Sequence, residues 1–272
     1  MEYPRMVSSS IFPALAAGLA TWIFTAAGAA AVFAPRSFSR RALDVLLGFA
    51  AGVMLAASFW CLLSRAFELA GERWGRLDFL PVAAGLAAGA LLLDLLDRIL
   101  PHACIHHTRE HDHDHEDHGL PRNILLIFAV VLHNIPEGLA LGVAFGAAMS
   151  VPEAGGLAGA AMLTCGICLH NLPVGMAVAM PMLGDGCSRR KAFLAAQAPG
   201  LVEPVTTVIG AAVAAQVTSI LPYAMSFAAG AMIFVVVSEV IPQTHEAGNG
   251  RVASAGLMAG FILMMCLDHV FG

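Results

Sequence analysis

Long apolar stretches separated by short polar segments recur along almost the whole of the 272-residue chain. Each has roughly 20 residues or more, the length at which an α-helix crosses the hydrocarbon core of a bilayer. The first is too long for a signal-peptide core and lacks a strongly basic leader, so we retain it as a helix. The pattern therefore predicts an all-α polytopic membrane protein, residues 1–272 forming one transmembrane domain. The eight predicted helices are 11–34, 43–68, 79–100, 122–148, 154–183, 192–217, 221–242 and 252–271.

The composition agrees with this prediction. Hydrophobic residues make up 58% of the chain and charged residues 12%, with a mean hydropathy of +0.78. Soluble domains carry about twice this charged fraction, so a sizeable soluble domain is excluded. The cysteines show no spacing typical of a secreted disulfide framework, and we expect reduced thiols that pack between helices. They are Cys61, Cys104, Cys165, Cys168, Cys187 and Cys266.

The loops between the predicted helices indicate an orientation. The fourth and sixth loops contain no Lys or Arg, and in the second loop two arginines are balanced by two acidic residues. Loops rich in Lys and Arg remain on the cytoplasmic side. We therefore expect odd-numbered loops in the cytoplasm and both termini outside, on the periplasmic side of a bacterial inner membrane. The basic residues of the odd loops are Arg36, Arg40, Arg41, Arg109, Arg189, Arg190, Lys191 and Arg251.

Residues 102–121 form the one long polar segment, and acidic residues alternate there with histidines. The segment has too little apolar content to fold alone. Imidazoles flanked by carboxylates bind divalent ions weakly and in many geometries. We expect a cytoplasmic loop that collects or senses metal; the alternative is a solvated linker. Its histidines are His102, His106, His107, His111, His113, His115 and His118.

Two similar six-residue motifs, His133–Gly138 and His170–Gly175, lie deep in the fourth and fifth predicted helices. His133 and Glu137 are four residues apart and therefore share a helix face. The proline of each motif removes a backbone donor and frees a carbonyl, which persists in lipid only where it faces protein, water or an ion. We therefore expect the two motifs to meet at one shared site.

Other polar side chains in the predicted helices need separate interpretations. Glu203 lies deep in the sixth helix, where an unpaired carboxylate would take up a proton or a cation. Glu239 is either interfacial or part of a metal path. Asp97 is expected either to pair with Arg98 at the headgroup level or to face a cavity, and the deeper Asp94 is expected to face a cavity.

Small residues at four-residue spacing predict close helix contacts in the second, fourth and eighth helices. These are Gly48 and Gly52, the series Gly138 to Gly146, and Gly256 with Gly260. Taken by itself, Met54 is interpreted as a packing residue of the core. We interpret Cys165 and Cys168 as packing residues; the alternative is that they form a pair of soft metal ligands.

The deep polar groups together predict a metal site. Two imidazoles with carboxylates suit zinc, and also cadmium, ferrous iron or manganese. Such a site within a helix bundle is typical of a transporter, and the metal is then a transported substrate, with no separate cofactor. The alternatives are an intramembrane metal-dependent hydrolase, although no H-E-x-x-H motif is present, and a non-transporting metal sensor. The residues of the site are His133, Asn134, Glu137, His170, Asn171 and Glu203.

The sequence contains no nucleotide-binding fingerprint, so we do not expect coupling to ATP or NAD within this chain. We likewise expect no nucleic-acid partner. The partners expected from the sequence are the divalent metal ion and the lipid bilayer.

The paired H-N-x-P-x-G motifs, the eight helices, the external termini and the His-rich loop resemble the ZIP (Zrt/Irt-like protein) family of divalent metal transporters. The stretch Gly48 to Met54 and the Ser238-Glu239-x-Ile-Pro sequence are most similar to the bacterial GufA-like branch. The resemblance implies metal uptake into the cytoplasm. It also implies a 3+2+3 arrangement in which helices 1–3 and 6–8 are inverted pseudo-repeats around helices 4 and 5. A homodimer and elevator-like sliding are implied as well.

The resemblance also implies roles for individual residues. Met54, His133, Glu137 and His170 would form the primary metal site. Asn134, Asn171 and Glu203 would face an adjacent secondary site, and Asp97, His102 and Glu239 would line the release path.

Two positions depart from the family pattern. Family members with two adjacent metals have a bridging Glu where this chain has Val174, and two close dications without that carboxylate would repel each other. We therefore expect one well-formed metal site and a weak or absent second. Position 238 is Ser where relatives often have His, which leaves the release ligands less defined.

Overall fold

The computed structural model describes residues 3–34, 39–99, 122–150, 156–184, 186–216 and 218–271. Within these residues the chain forms eight helical rods, which we number α1 to α8, and no strand. Their bounds are α1 Tyr3–Ala29; α2 Arg40–Ala57 with a π-helical segment Ser58–Ser64 and Arg65–Trp74; α3 Phe79–Ile99; α4 Arg122–Ser150; α5 Gly156–Gly184; α6 Arg189–Gln197 with a 3₁₀ segment Ala198–Leu201 and Val202–Gln216; α7 Leu221–Val235 with a π-helical segment Val236–Val240 and Ile241–His245; and α8 Gly250–Phe271.

The eight predicted helices are confirmed, and two of them extend well beyond the predicted bounds. Helix α1 begins at Tyr3 instead of 11, and α2 continues to Trp74 instead of 68. An apolar stretch marks only the part of a helix inside the bilayer, and the polar extension of α2 is rich in good helix formers such as Ala, Leu, Glu and Arg. This extension ends at Gly75, whose φ of 53° suits a residue without a Cβ.

Among the described residues, seven helices are long and apolar enough to cross a membrane. The remaining rod, α4, has 29 residues and so reaches about 44 Å at the usual rise per residue. The chain is therefore a multi-pass helical membrane protein.

The rods pack as two groups of four. The first group, here called the motif bundle, contains α1, α4, α5 and α6, with close pairs α4–α6, α1–α5 and α1–α6. The second group, the flanking bundle, contains α2, α3, α7 and α8, with close pairs α2–α8 and α3–α7. The two bundles meet mainly where α2 packs on α5 and α4 packs on α7.

These helix pairs obey an exchange rule. The exchange pairs α1 with α6, α2 with α7, α3 with α8 and α4 with α5. It turns α2–α8 into α7–α3, α1–α5 into α6–α4 and α2–α5 into α7–α4, all of which are observed, and it leaves α1–α6 unchanged. The π-helical segments also occur in exchange partners, α2 and α7. Because five crossings separate α1 from α6, the exchanged halves run in opposite directions. This is the predicted 3+2+3 arrangement with inverted pseudo-repeats.

Glycines bring the helices within each bundle into backbone contact. A Cβ added at Gly48 would collide with the backbone of Ala253, and one at Gly52 with that of Leu257. In the motif bundle, a Cβ at Gly142 would collide with the backbone of Thr207 on α6. The predicted small-residue faces therefore form the closest helix interfaces, as small residues do between membrane helices.

The boundary between the bundles is packed differently at Gly166 of α5. A Cβ there would meet Sδ of Met264 at 3.1 Å and Cγ1 of Val53 at 3.5 Å. Both are ends of side chains on the flanking bundle, and a methionine end moves at little cost. This part of the boundary is therefore lined by adaptable side chains rather than by interlocked backbones.

The motif prolines do not end their helices. Helix α4 is continuous through Pro136, and α5 is continuous through Pro173 and Pro181. Each proline removes one backbone donor, and neighbouring helices can compensate for that loss in a packed bundle.

Candidate metal centre

The two motifs meet in the interior of the motif bundle, as predicted. Nε2 of His170 on α5 lies 3.1 Å from Oε1 of Glu137 on α4, and both side chains are fully buried. Two ligands of one tetrahedral zinc ion are about 3.3 Å apart, given Zn–N and Zn–O distances near 2.0–2.1 Å. The pair therefore has the spacing of two donors that share a cation.

A second contact joins α5 to α6 and α1. Nδ2 of Asn171 donates to both carboxylate oxygens of Glu203, each at 2.9 Å, and to the backbone carbonyl of Thr21 at 3.2 Å. Glu203 and Asn171 are 1% exposed. Glu203 also lies close enough to Glu137 for the two carboxylates to interact electrostatically. The site thus places two acidic side chains beside each other in a dry interior.

Local sequence explains how Glu203 reaches this position. The 3₁₀ segment Ala198–Leu201 comes directly before the α-helical turn that carries Glu203. Gly138, at the end of the first motif, has no side chain, and a Cβ there would collide with Thr206. The missing side chain lets α6 approach α4 and brings Glu203 beside the motif residues.

Two amide groups at this site retain unused atoms. Nδ2 of Asn134 and Oδ1 of Asn171 are buried, and neither has a hydrogen-bond partner in the part of the chain that the structure describes. Because Asn171 uses its NH₂ group on Glu203 and Thr21, its oxygen remains directed elsewhere as an acceptor. A buried amide oxygen of this kind is an oxygen donor that a cation can use.

Met54 lies on α2 of the flanking bundle and is 2% exposed. Helix α2 packs against α5, the helix that carries His170. Met54 is therefore a buried residue of a helix that contacts the motif bundle, which fits both of its predicted roles, packing residue and soft ligand.

Several predicted site residues lie outside the described part. The side chains of His133 and Asp97 are not described, although both positions belong to helices α4 and α3. The whole loop 102–121, with its seven histidines, also lies outside. Within the described residues no trio of His, Cys, Asp and Glu is arranged to hold a metal ion, so the geometry above covers only part of the predicted ligand set.

The remaining acidic candidates lie elsewhere. Glu239 is half-buried in the π-helical segment of α7. Asp94 pairs with Arg98 one turn later, with Oδ2 and Nη2 2.9 Å apart, and both side chains are partly exposed. The expectation that Asp94 faces a cavity is therefore not met. Cys165 is exposed whereas Cys168 is buried, so the two thiols do not share one environment.

Sequence reasoning missed a buried carboxylate at the start of α2. Asp44 is fully buried, accepts a bond from Nε of Arg40 at 3.0 Å and from Nδ2 of Asn249 at 2.8 Å. Arg40 also donates to the carbonyl of Gln243 at 3.3 Å. The group ties α2, α7 and α8 together. The i, i+4 spacing of Arg40 and Asp44 in the sequence could have predicted this ion pair.

Comparisons with known proteins identify the family of the chain. A family model described as a ZIP zinc transporter matches residues 101–268. Human zinc transporter ZIP11 is 37% identical, across 97% of this chain and 98% of its own length. ZIPB of Bordetella bronchiseptica is 40% identical, across 95% and 81%, and GufA of Myxococcus xanthus is 34% identical, across 98% and 100%. These relatives are named as transporters, not as enzymes, and the chain belongs to the ZIP family of zinc transporters.

Proposed function

We propose that the chain carries a divalent transition metal, with zinc preferred, into the cytoplasm through the site where α4 and α5 meet. The observation that carries the proposal is the fully buried contact between His170 and Glu137. Ligands buried in a dry bundle bind and release a dication, whereas they would contribute little to folding. His133 and Met54 complete the primary ligand set. Cadmium, iron and manganese are further substrates that this donor set accepts.

The site holds one metal ion. Val174 is 8% exposed and occupies the second motif where a carboxylate would otherwise join two ions. Asn134, Asn171 and Glu203 then form a polar wall beside the bound metal. Two dications only a few ångströms apart would repel strongly, and no shared carboxylate would offset that repulsion.

Transport occurs by sliding of the motif bundle against the flanking bundle. Backbone contacts at glycines join helices inside each bundle, while Gly166 faces only the side-chain ends of Met264 and Val53 across the boundary. The bundle interiors therefore resist shear more than this boundary does. The flanking bundle supplies the surface for a homodimer.

The metal leaves along Asp97, His102 and Glu239 towards the His-rich loop 102–121, which collects or senses it in the cytoplasm. This direction follows from the basic residues of the odd-numbered loops. Both termini then lie outside the cell, on the periplasmic side of an inner membrane. The metal is the substrate, and the proposal requires no separate cofactor.

Uptake into proteoliposomes loaded with a zinc-sensitive dye tests the proposal. His170→Ala and His133→Ala should each abolish zinc uptake, because each removes one imidazole ligand of the transported ion. Competition with cadmium, iron and manganese then ranks the substrates. His269→Ala removes an exposed imidazole at the end of α8 and serves as the matched control.

Uptake that survives in both site variants would refute the assignment of these ligands. Zinc binding without any flux in the wild type would instead indicate a metal sensor, and the transport proposal would fail.

A further inference from the structure

An open surface cavity of about 460 Å³ lies along the N-terminal turns of α6, apart from the metal centre. Lys191 precedes Glu203 by 12 residues, or about 18 Å along a helix. The residues that line it are Ser188, Arg190, Lys191, Leu194 and Ala195.

The two cations of this cavity are not used to hold the fold. Neighbouring Arg189 donates to the carbonyls of Val32 at 2.7 Å and Ala34 at 3.2 Å, and so fastens α6 to the end of α1. Ser188 caps the helix by accepting the backbone N–H of Lys191 at 3.3 Å. The exposed side chains of Arg190 and Lys191 make no ion pair or hydrogen bond with the residues that the structure describes. Their charges remain available to a ligand.

The apolar side of the cavity continues along the surface of α6. Leu194 begins a series of large hydrophobic side chains at helical spacing, each about half exposed. In a membrane helix such a stripe faces acyl chains. The members of the stripe are Leu194, Leu201, Val205, Ile209 and Val213.

We propose that this cavity binds the headgroup of an anionic phospholipid whose acyl chains lie along the α6 stripe. A phosphate diester accepts hydrogen bonds from Arg and Lys, and the adjoining apolar surface accommodates the chains of the same molecule. The two positive charges also exclude the metal ion that the protein carries. The site is independent of the metal centre, and the inference does not rest on the proposed metal ligands.

Trp22 provides a reporter for the test. Its Nε1 donates to Oε1 of Gln197 at 2.8 Å, which fixes the indole beside α6 about one turn beyond Leu194. The chain has three tryptophans, so Trp60→Phe with Trp74→Phe leaves Trp22 alone. The full-length protein is placed in neutral phosphatidylcholine bilayers, and brominated phosphatidylglycerol or brominated phosphatidylcholine is added in steps to quench Trp22.

Brominated phosphatidylglycerol should quench Trp22 at a mole fraction roughly tenfold lower than brominated phosphatidylcholine, as expected for two basic residues at a membrane surface. Arg190→Gln with Lys191→Gln should abolish this difference. The charge-preserving exchange Arg190→Lys with Lys191→Arg should retain it. Arg73→Gln with Arg76→Gln removes two exposed arginines at the C-terminal end of α2 and is the matched control, which should also retain it.

Equal quenching by the two lipids in the wild type would overturn the proposal. So would a preference that survives loss of Arg190 and Lys191, or one that the control pair loses equally, since either result would locate the effect elsewhere.

Discussion

At the scale of residues, the buried carboxylates differ in what compensates their charge. Asp44 accepts bonds from the Arg40 guanidinium and from Asn249, so a permanent cation balances it within the fold. Glu203 accepts from the amide of Asn171, and Glu137 contacts the imidazole of His170. A buried acid that is balanced by a fixed cation holds helices together, whereas acids grouped with amides and imidazoles provide charge for a mobile cation. This distinction separates the structural carboxylate from those of the metal centre.

The residue at position 174 should determine how many metal ions bind. In a protein without the loop 102–121, zinc per chain at saturation should be one for the wild type. Val174→Glu should raise it to two, because a carboxylate at this position of the second motif would offset the repulsion between adjacent dications. Metal analysis after equilibrium dialysis measures the ratio.

Val174→Gln, which has the size of Glu without its charge, is the control and should remain at one. Two tightly bound ions in the wild type would contradict the single-metal proposal.

Sequence reasoning predicted the meeting of the motifs but not the contacts around it. The i, i+4 spacing of His133 and Glu137, with a repeated motif, is enough to indicate a shared site. The bond from Asn171 to Glu203 depends on how closely α6 approaches α4, which Gly138 permits and which spacing within one helix does not reveal. Asp44 was missed because an acid next to arginines at a predicted helix start resembles an ordinary interfacial residue.

At the scale of helices, glycines separate two kinds of interface. Gly52 of α2 lies against the backbone of Leu257 and Phe261 on α8, whereas Gly166 of α5 lies against side-chain ends. Backbone cannot yield without moving a whole helix, while a methionine end can adopt another rotamer. The predicted glycine faces were therefore correct as contacts, but the sequence did not distinguish the rigid interface from the adaptable one.

This difference predicts unequal effects of one added methyl group. Gly52→Ala should destabilise the folded protein by about 1–3 kcal/mol, the usual cost of overpacking. Gly166→Ala should change the stability by less than about 1 kcal/mol, because Met264 can move aside. Thermal unfolding in detergent, followed by tryptophan fluorescence, compares the two variants.

Equal losses of stability would contradict the assignment of Gly166 to an adaptable boundary. Gly184→Ala, at a position where nothing lies near the added Cβ, provides the baseline for a helical glycine of α5.

At the scale of the whole molecule, the two bundles are the units that the proposed transport cycle moves. A disulfide across their boundary should therefore stop uptake, while one inside a bundle should not. Val53 of α2 and Gly166 of α5 suit the first purpose, since Cγ1 of Val53 lies 3.5 Å from the position of a Cβ at Gly166. Cys61 of α2 and Asp268 of α8 suit the second, since Sγ donates to Oδ1 at 3.4 Å.

In a background without the other cysteines, oxidation of Val53→Cys with Gly166→Cys should block zinc uptake, and a reductant should restore it. Oxidation of Cys61 with Asp268→Cys should leave uptake almost unchanged, because α2 and α8 belong to one bundle. Flux before and after reduction measures both. Full uptake with the boundary disulfide formed would show that the bundles do not slide during transport.

The exchange rule among helix pairs has a consequence for the second conformation of the protein. Helices α1–α3 and α6–α8 have the same arrangement but run in opposite directions. Each half can therefore adopt the conformation that the other half now has. If the proposed transport cycle is correct, a structure in which each half takes the geometry of its counterpart would represent the state that faces the opposite side of the membrane. In the proposed transport cycle, the two halves would therefore exchange their geometries each time an ion is carried.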